Sequence, residues 1–443
     1  MNKLVSFIFF LVIGTSIYGQ HKTWTLQECV AYALENNISV KQSALDIDRA
    51  DVEKQEAIGN FLPSLNASFN GSQNTGLSLN PTNNQLENTT QLTASGSADL
   101  GITLFDGLRN VRQLQRSKLS QLASQYRLDK MKDDIALAVA NSYLQVLLNK
   151  ANLEVAISQN ATTQEQLERT INLVDAGVLP RGDLLEIKAT DASEKQRMAN
   201  AENTVEISLI SLAQLLLIKD YSNFDIADED YNVLGENIAS MDVSEIIESA
   251  KENRKEVKIA EKNLEMAEKD VQIAKGAYYP TLSGFFGYST RYSDSDPLGH
   301  SFREQLYLND GIGYGLQINV PIFNGFAVAG NVKRNKINLM NSQYLLEQTE
   351  LDLESTVYQA YVDAKGALKA YEAAQVALES QELAFQYAKE RYDVGITNAF
   401  DFSQAKLRYD NASIELNRSK YDYIFKLKVL ELFFGIPPTE LKF

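Results

Sequence analysis

The sequence predicts an α+β membrane protein built from two like halves. Each half holds one β-hairpin, one long helix and two helices of half that length. Three observations predict this. First, the chain repeats itself: Ala33-Leu-Glu-Asn36 returns as Ala250-Lys-Glu-Asn253, Phe61-Leu-Pro63 as Tyr278-Tyr-Pro280, and Leu104-Phe105-Asp-Gly107 as Ile322-Phe323-Asn-Gly325. Gly177 and Asp183 return as Gly395 and Asp401. Two copies this long with almost no net insertion imply two structurally equivalent halves packed about a pseudo-symmetric axis. Second, no glycine or proline lies between Gly107 and Gly177, and only Gly330 and Gly366 lie between Gly325 and Gly395. Third, strict apolar/polar alternation occurs at four places, two in each copy.

The elements follow in order. Lys3, the apolar run 4–13 and the small and polar residues up to Gly19 read as a secretory signal, 1–19. The apolar run is too short to cross a bilayer as a helix, which takes about 20 residues. Residues 20–218 form the first repeat, 219–242 a connector, 243–436 the second repeat and 437–443 a tail. In the first repeat, helix 26–60 precedes strands at 64–72 and 92–104. Leu65, Ala67 and Phe69 alternate with Asn66, Ser68 and Asn70; Leu92, Ala94, Ala98, Leu100 and Ile102 alternate with Thr93, Ser97, Asp99 and Thr103. The long helix 108–176 carries Leu137, Ala140, Leu144, Leu147 and Ala151, the 3-4 alternation of a coiled-coil seam. Helix 184–217 closes the half. The second repeat reads alike: helix 243–277, strands 282–292 and 312–320, long helix 326–394 and helix 402–434. At about 1.5 Å per residue each long helix would span roughly 100 Å, and two half-length helices end to end would cover it. The segments Gln73–Gln91 and Ser293–Asp310 are polar and read as exposed loops.

Each alternating run has about the length of a membrane-spanning strand, 9–11 residues. Tyr288, Tyr292 and Tyr314 suit an interfacial aromatic girdle. Two soluble hairpins would show the same alternation. In hydrocarbon, however, a four-stranded sheet with open edges is not tolerated, so other copies must complete it. Two chains would make eight strands with a nearly filled interior; three would make twelve and leave a pore.

Bulk properties exclude other classes. The net charge of −16 opposes a nucleic-acid partner. The single cysteine, Cys29, fits a buried helix position. His21 and His300 are the only histidines, neither sits near a plausible nucleophile or metal cluster, and no glycine-rich phosphate loop follows a buried strand, so neither an enzyme nor a cofactor is expected.

With these features together, the whole mature chain resembles the outer-membrane factor family, the TolC-type channel-tunnels. The resemblance rests on the duplication, the Pro63 and Pro280 approaches to strands, the Asp-Gly107 and Asn-Gly325 exits, and the glycine turns after the long helices. It implies a homotrimer in outer-membrane lipid. Its twelve-stranded β-barrel would continue as a periplasmic α-helical barrel. Such a duct receives drugs, metals, small toxic molecules or proteins from an inner-membrane pump through a periplasmic adaptor. An exported trimeric coiled-coil scaffold is the alternative, and it leaves the four strands unexplained.

The resemblance also assigns residues. Adaptor-docking tips fall on Ala176, Gly177, Val178 and Leu179 and on Val394, Gly395, Ile396 and Thr397. The simpler reading of both glycines is a left-handed helix cap. A periplasmic gate falls on Tyr392, expected to bond Asp183, and on Asp401, expected to ring a constriction. The simpler reading of both aspartates is charge at a helix start. The family's second gate aspartate falls on Gln404, and an arginine that adds to the latch falls on Thr397. Arg181 is expected to replace that arginine, and Glu186 to restore the negative charge.

Overall fold

The computed structural model describes residues 23–80, 84–227 and 242–436. The expected signal, the tail and most of the connector lie outside the described residues. The described elements are β1 (Thr23–Trp24), α1 (Leu26–Asn36), α2 (Ile38–Gly59), β2 (Ser64–Asn80), β3 (Gln85–Phe105), α3 (Arg109–Asp175), α4 (Arg181–Leu215), β4 (Asp225–Ile226), α5 (Val243–Asn253), α6 (Lys255–Gly276), β5 (Thr281–Ser293), α7 (Phe302–Leu308), β6 (Gly311–Asn319), α8 (Ala327–Asp393) and α9 (Ala399–Phe434).

Element lengths repeat between the halves. The long helices α3 and α8 have 67 residues each. The pairs α1–α2 and α5–α6 both have 11 and then 22, and α4 and α9 have 35 and 36.

Three expectations are corrected. The helices expected at 26–60 and 243–277 are each broken once, at Asn37 and Arg254, where ψ swings to 133° and 134°. Asn37 closes α1 through its N–H to the Ala33 carbonyl and opens α2 by accepting the Ser39 N–H at 2.8 Å. An asparagine side chain competes with the helix ladder in this way without glycine or proline to announce it. Next, much of the expected loop 73–91 is strand. β2 and β3 stay paired from Ser64↔Gly101 to Asn80↔Gln85. Cross-strand hydroxyl pairs, Ser72 with Thr93 at 2.8 Å and Thr75 with Thr90 at 3.0 Å, hold the start of the extension, and Leu79 opposite Leu86 resumes the apolar row at its end. Finally, the expected loop 293–310 contains α7. Its Ser301–Glu304 capping box was legible in the sequence.

The described residues divide into two compact units that cut across both repeats, one within 1–40, 132–246 and 357–443, the other within 41–131 and 247–356. The first unit has an apolar core on α1, α3 and α4, including Leu26, Val139, Tyr143, Leu147 and Leu212, with Ile424 from α9. Fully burying such a Leu or Val side chain stabilises by about 1.5–3 kcal/mol. Here β1 and β4 form a short parallel pair. The Tyr143 hydroxyl lies 3.2 and 3.0 Å from the Trp24 and Ala227 carbonyls, and Lys150 pairs with Asp225 at 2.8 Å. These contacts tie the start of the connector to α3.

The second unit holds the antiparallel sheet β2-β3-β5-β6. Register aligns Leu65, Leu100 and Phe286 in one row, and Ala67, Ala98 and Tyr288 in another. The alternate rows hold Asn66, Asp99 and Gly287, and Ser68, Ser97 and Ser289. One face is therefore apolar and the other small and polar, as strand pleating requires.

Candidate functional site

In the first unit, α3 and α8 both end in glycine turns of one design. Gly177 and Gly395 have φ 77° each. The Val178 N–H reaches back to the Leu173 carbonyl and the Ile396 N–H to the Arg391 carbonyl, both at 2.8 Å. This six-to-one bond with a left-handed glycine is a Schellman cap. Pro180 precedes α4 with the φ a proline enforces, −70°. Beyond the caps, Val178, Val394 and Ile396 project with about two-thirds of their surface exposed, at 66, 70 and 69 %. Ala176 is also exposed, whereas Leu179 and Thr397 are half-buried; Leu179 packs against the small core of Ile187, Tyr392, Ala399 and Phe402.

Two contacts fasten the end of α8 to α3. The Tyr392 hydroxyl shares a hydrogen bond with Thr170 at 3.2 Å. Its ring stacks on Phe402, with centroids 5.2 Å apart. Burial raises the Tyr392 pKa above the ordinary phenol value, and the charges of Asp183 and Asp393 push the same way. The hydroxyl therefore keeps its proton at neutral pH and remains able to donate. One residue away, Arg169 Nη2 donates to the Asp393 carbonyl at 3.1 Å. Arg169 Nη1 also forms an ion pair with the Asp393 carboxylate at 3.1 Å, with no N–H aimed at that oxygen. A cation on the last turn of α8 also meets the negative end of its dipole.

The expected gate residues fall as follows. Tyr392 and Asp183 share this region, but the Tyr392 hydrogen bond goes to Thr170, and Asp183 acts on it through charge. Asp401 is exposed; its N–H is capped by Asn398 at 2.9 Å, and its carboxylate accepts from the Thr397 hydroxyl at 2.9 Å. Gln404 is half-buried on the same helix. Arg181 and Glu186 are exposed on α4, and among the described residues Arg181 pairs with no carboxylate. The arginine that bridges the two long helices here is Arg169.

Sequence reasoning missed Arg169, Thr170 and Asp393. It also missed a polar seam on α3, where Asn160, Thr163, Gln166 and Thr170 are all buried. Their helical spacing was the available signal: polar residues at seam positions where the upper part of α3 carries Val and Leu. Beyond the seam lies a buried charge cluster. Lys406 Nζ of α9 is 2.7 Å from Glu194 Oε1 of α4 and 3.3 Å from Asp410 Oδ2. Asn160 donates to Asp191 at 3.0 Å.

The sequence profile described as outer membrane efflux protein matches residues 30–216 and 246–435, one segment in each repeat. The chain belongs to this family. It is an outer-membrane duct of the efflux and type I secretion class. This assignment displaces the coiled-coil scaffold. The chain is 25 % identical over 318 residues to outer membrane protein TolC of Vibrio cholerae, covering 71 % of this chain and 70 % of that one. It is 21 % identical over 415 residues to the proteases secretion protein PrtF of Dickeya chrysanthemi, covering 92 and 87 %. Its fold superposes on the crystal structure of CusC with a TM-score of 0.80 at 18 % identity, covering 93 % of this chain and 92 % of that one. These relatives are channel and secretion proteins.

Proposed function

We propose that three copies close a twelve-stranded barrel across the outer membrane, continued by a periplasmic α-helical barrel. The turns 176–179 and 394–397 would dock a periplasmic adaptor that links the duct to an inner-membrane pump. The support is physical. Among the described residues β2 and β6 each pair on one side alone, and an open edge is not tolerated in hydrocarbon. Three copies supply the missing pairings and leave a lumen lined by the Asn, Ser and Gly rows. The exposed Val178, Val394 and Ile396 offer an apolar docking surface beside capped, rigid turns.

The observation that carries the gate is the double fastening of α8 to α3. In the resting duct, Tyr392–Thr170 and Arg169–Asp393 hold α8 inward. Asp183 adds charge beside the hydroxyl, and Arg169 takes the place of the arginine absent at Thr397. Adaptor contact at the adjoining turn levers α8 away and breaks both links. A neutral hydrogen bond contributes about 1 kcal/mol and a partly exposed ion pair about 0.2–1 kcal/mol, so docking can break them readily.

Reconstituted in planar bilayers, Tyr392→Phe should raise resting open probability about fivefold, the equivalent of roughly 1 kcal/mol. Arg169→Ala should raise it to a similar extent, and the double variant further. Unchanged resting conductance in both single variants would place the latch elsewhere.

A further inference from the structure

In the second unit, α7 lies against the apolar face of the sheet near the β5–β6 turn. The Thr290 hydroxyl donates to the Leu306 carbonyl at 2.8 Å. Gln305 exchanges hydrogen bonds with both backbone groups of Ser293, at 2.8 and 2.9 Å. The Phe302 and Tyr292 rings meet edge to face at 5.0 Å. Thr290 and Tyr292 lie on the same side of β5 as Phe286 and Tyr288, so the helix sits on the face that carries the apolar rows. Its inward side is satisfied by Phe302, Gln305 and Leu306. Its outward side is not: Tyr307 and Leu308 are 71 and 62 % exposed, and Leu298 just before the helix is 79 % exposed.

Between α7 and the sheet runs a cleft of about 410 Å³, lined chiefly by Phe69, Ala94, Gly96, Thr290, Phe302 and Leu306. It is open, mostly apolar and continuous with the sheet face. A short helix with aromatic and aliphatic residues outward, and Arg303 within one turn of Tyr307, has the make-up of an element at a lipid–water boundary. The strand level points the same way. α7 meets β5 at Thr290 to Ser293, one end of the sheet, where a spanning strand of about 9–11 residues leaves the hydrocarbon.

We infer that α7 is an interfacial helix whose outward Tyr307 and Leu308, together with the cleft beneath it, take up hydrocarbon of the surrounding outer-membrane lipid. The inference rests on the reading that the apolar rows of the sheet face lipid, and it adds a lipid contact outside the strands. The helix widens the lipid-facing surface at the rim and anchors the β5–β6 connection at one depth.

The full chain carries one tryptophan, Trp24, so an added tryptophan is read as the increment over the unaltered protein. Tyr307→Trp on α7 and, separately, Tyr288→Trp on the sheet face are reconstituted in phosphatidylcholine vesicles with brominated acyl chains. The expected result is loss of at least half of the added fluorescence in both variants. Bromine placed shallow on the chain should quench Tyr307→Trp more than bromine placed deep. If Tyr288→Trp is quenched and Tyr307→Trp is not, the inference fails while the lipid-facing sheet stands. Aqueous iodide then tells a helix in water, which it quenches, from one covered by a second copy, which it does not. If neither variant is quenched by bromolipid, the lipid-facing reading fails and takes the inference with it.

Discussion

Asp410 shows how much a single buried group can impose on this chain. It is 2 % exposed on α9, one turn beyond Lys406 and facing Glu194 and Arg197 of α4. Burial pushes its carboxyl up to about 6; Lys406 and Arg197 oppose the shift, and the Glu194 charge adds to it. One ammonium therefore serves two carboxylates, and Glu194 Oε2 and Asp410 Oδ1 are buried without hydrogen-bond partners. Between about pH 4 and 6 the folded chain holds a proton that the unfolded chain has released, so stability falls as pH rises through that window, by roughly 3 kcal/mol in all. Asp410→Asn keeps an acceptor for Lys406 and removes the titration. Hydrogen exchange in α4 and α9, corrected for intrinsic rates, should be slower in Asp410→Asn than in the native chain at about pH 7.5 and nearly equal to it at about pH 3, below the unfolded carboxyl pKa. The same difference at both values would mean that Asp410 titrates as an ordinary carboxylate. At this scale the sequence was partly legible. The glycine caps stood out because a helix end demands a left-handed residue, whereas Tyr392 was reached only through the family resemblance. Thr170, Arg169 and Asp410 did not, because the groups they meet on other helices, Tyr392, Asp393 and Glu194, lie more than two hundred residues away in the chain.

At the scale of elements, the repeated strand-to-helix corner is the most constrained feature. Gly107 and Leu108 have φ 72° and 65°, and Gly325 and Phe326 have 59° and 64°, so each long helix is launched from two successive left-handed residues. The two corners differ in their surroundings. A Cβ on Gly107 would strike the Gly276 carbonyl oxygen and approach Tyr279 Cβ to 3.1 Å, whereas a Cβ on Gly325 would meet nothing within 4 Å. Alanine at either site incurs backbone strain of about 1–3 kcal/mol, and at Gly107 a backbone clash is added. Asparagine tolerates the left-handed region. Gly325→Asn should therefore assemble almost normally, whereas Gly107→Asn should lose most of its folded yield, read as the heat-modifiable band on gels. Equal yields from the two would show that the α6–α3 approach is loose. Element types were legible wherever periodicity was strong: both long helices lie within a residue of their expected ends. They were not legible where polar side chains do the structural work, as at the Asn37 break and the hydroxyl-paired extension of β2 and β3.

For the whole molecule, the proposed trimeric assembly sets what Asp401 would do. In one chain its carboxylate is exposed and bonded to Thr397, an unremarkable helix-start arrangement. In a trimer closed about an axis, three such carboxylates converge by symmetry, repel one another and draw in cations. The acidic balance of the chain, −16 overall, reinforces that field. The trimer should therefore conduct cations in preference to anions at its resting level, and a trivalent cation added on the periplasmic side should block it. Asp401→Ala should abolish the block and leave the heat-modifiable trimer intact, because the substitution removes no packing. Asp401→Asn keeps the Thr397 contact without the charge and should behave like Asp401→Ala if charge is the cause. Block that persists in both variants would take Asp401 off the axis. The constriction charge would then have to come from other acidic side chains near the turns, such as Asp183 or Glu186.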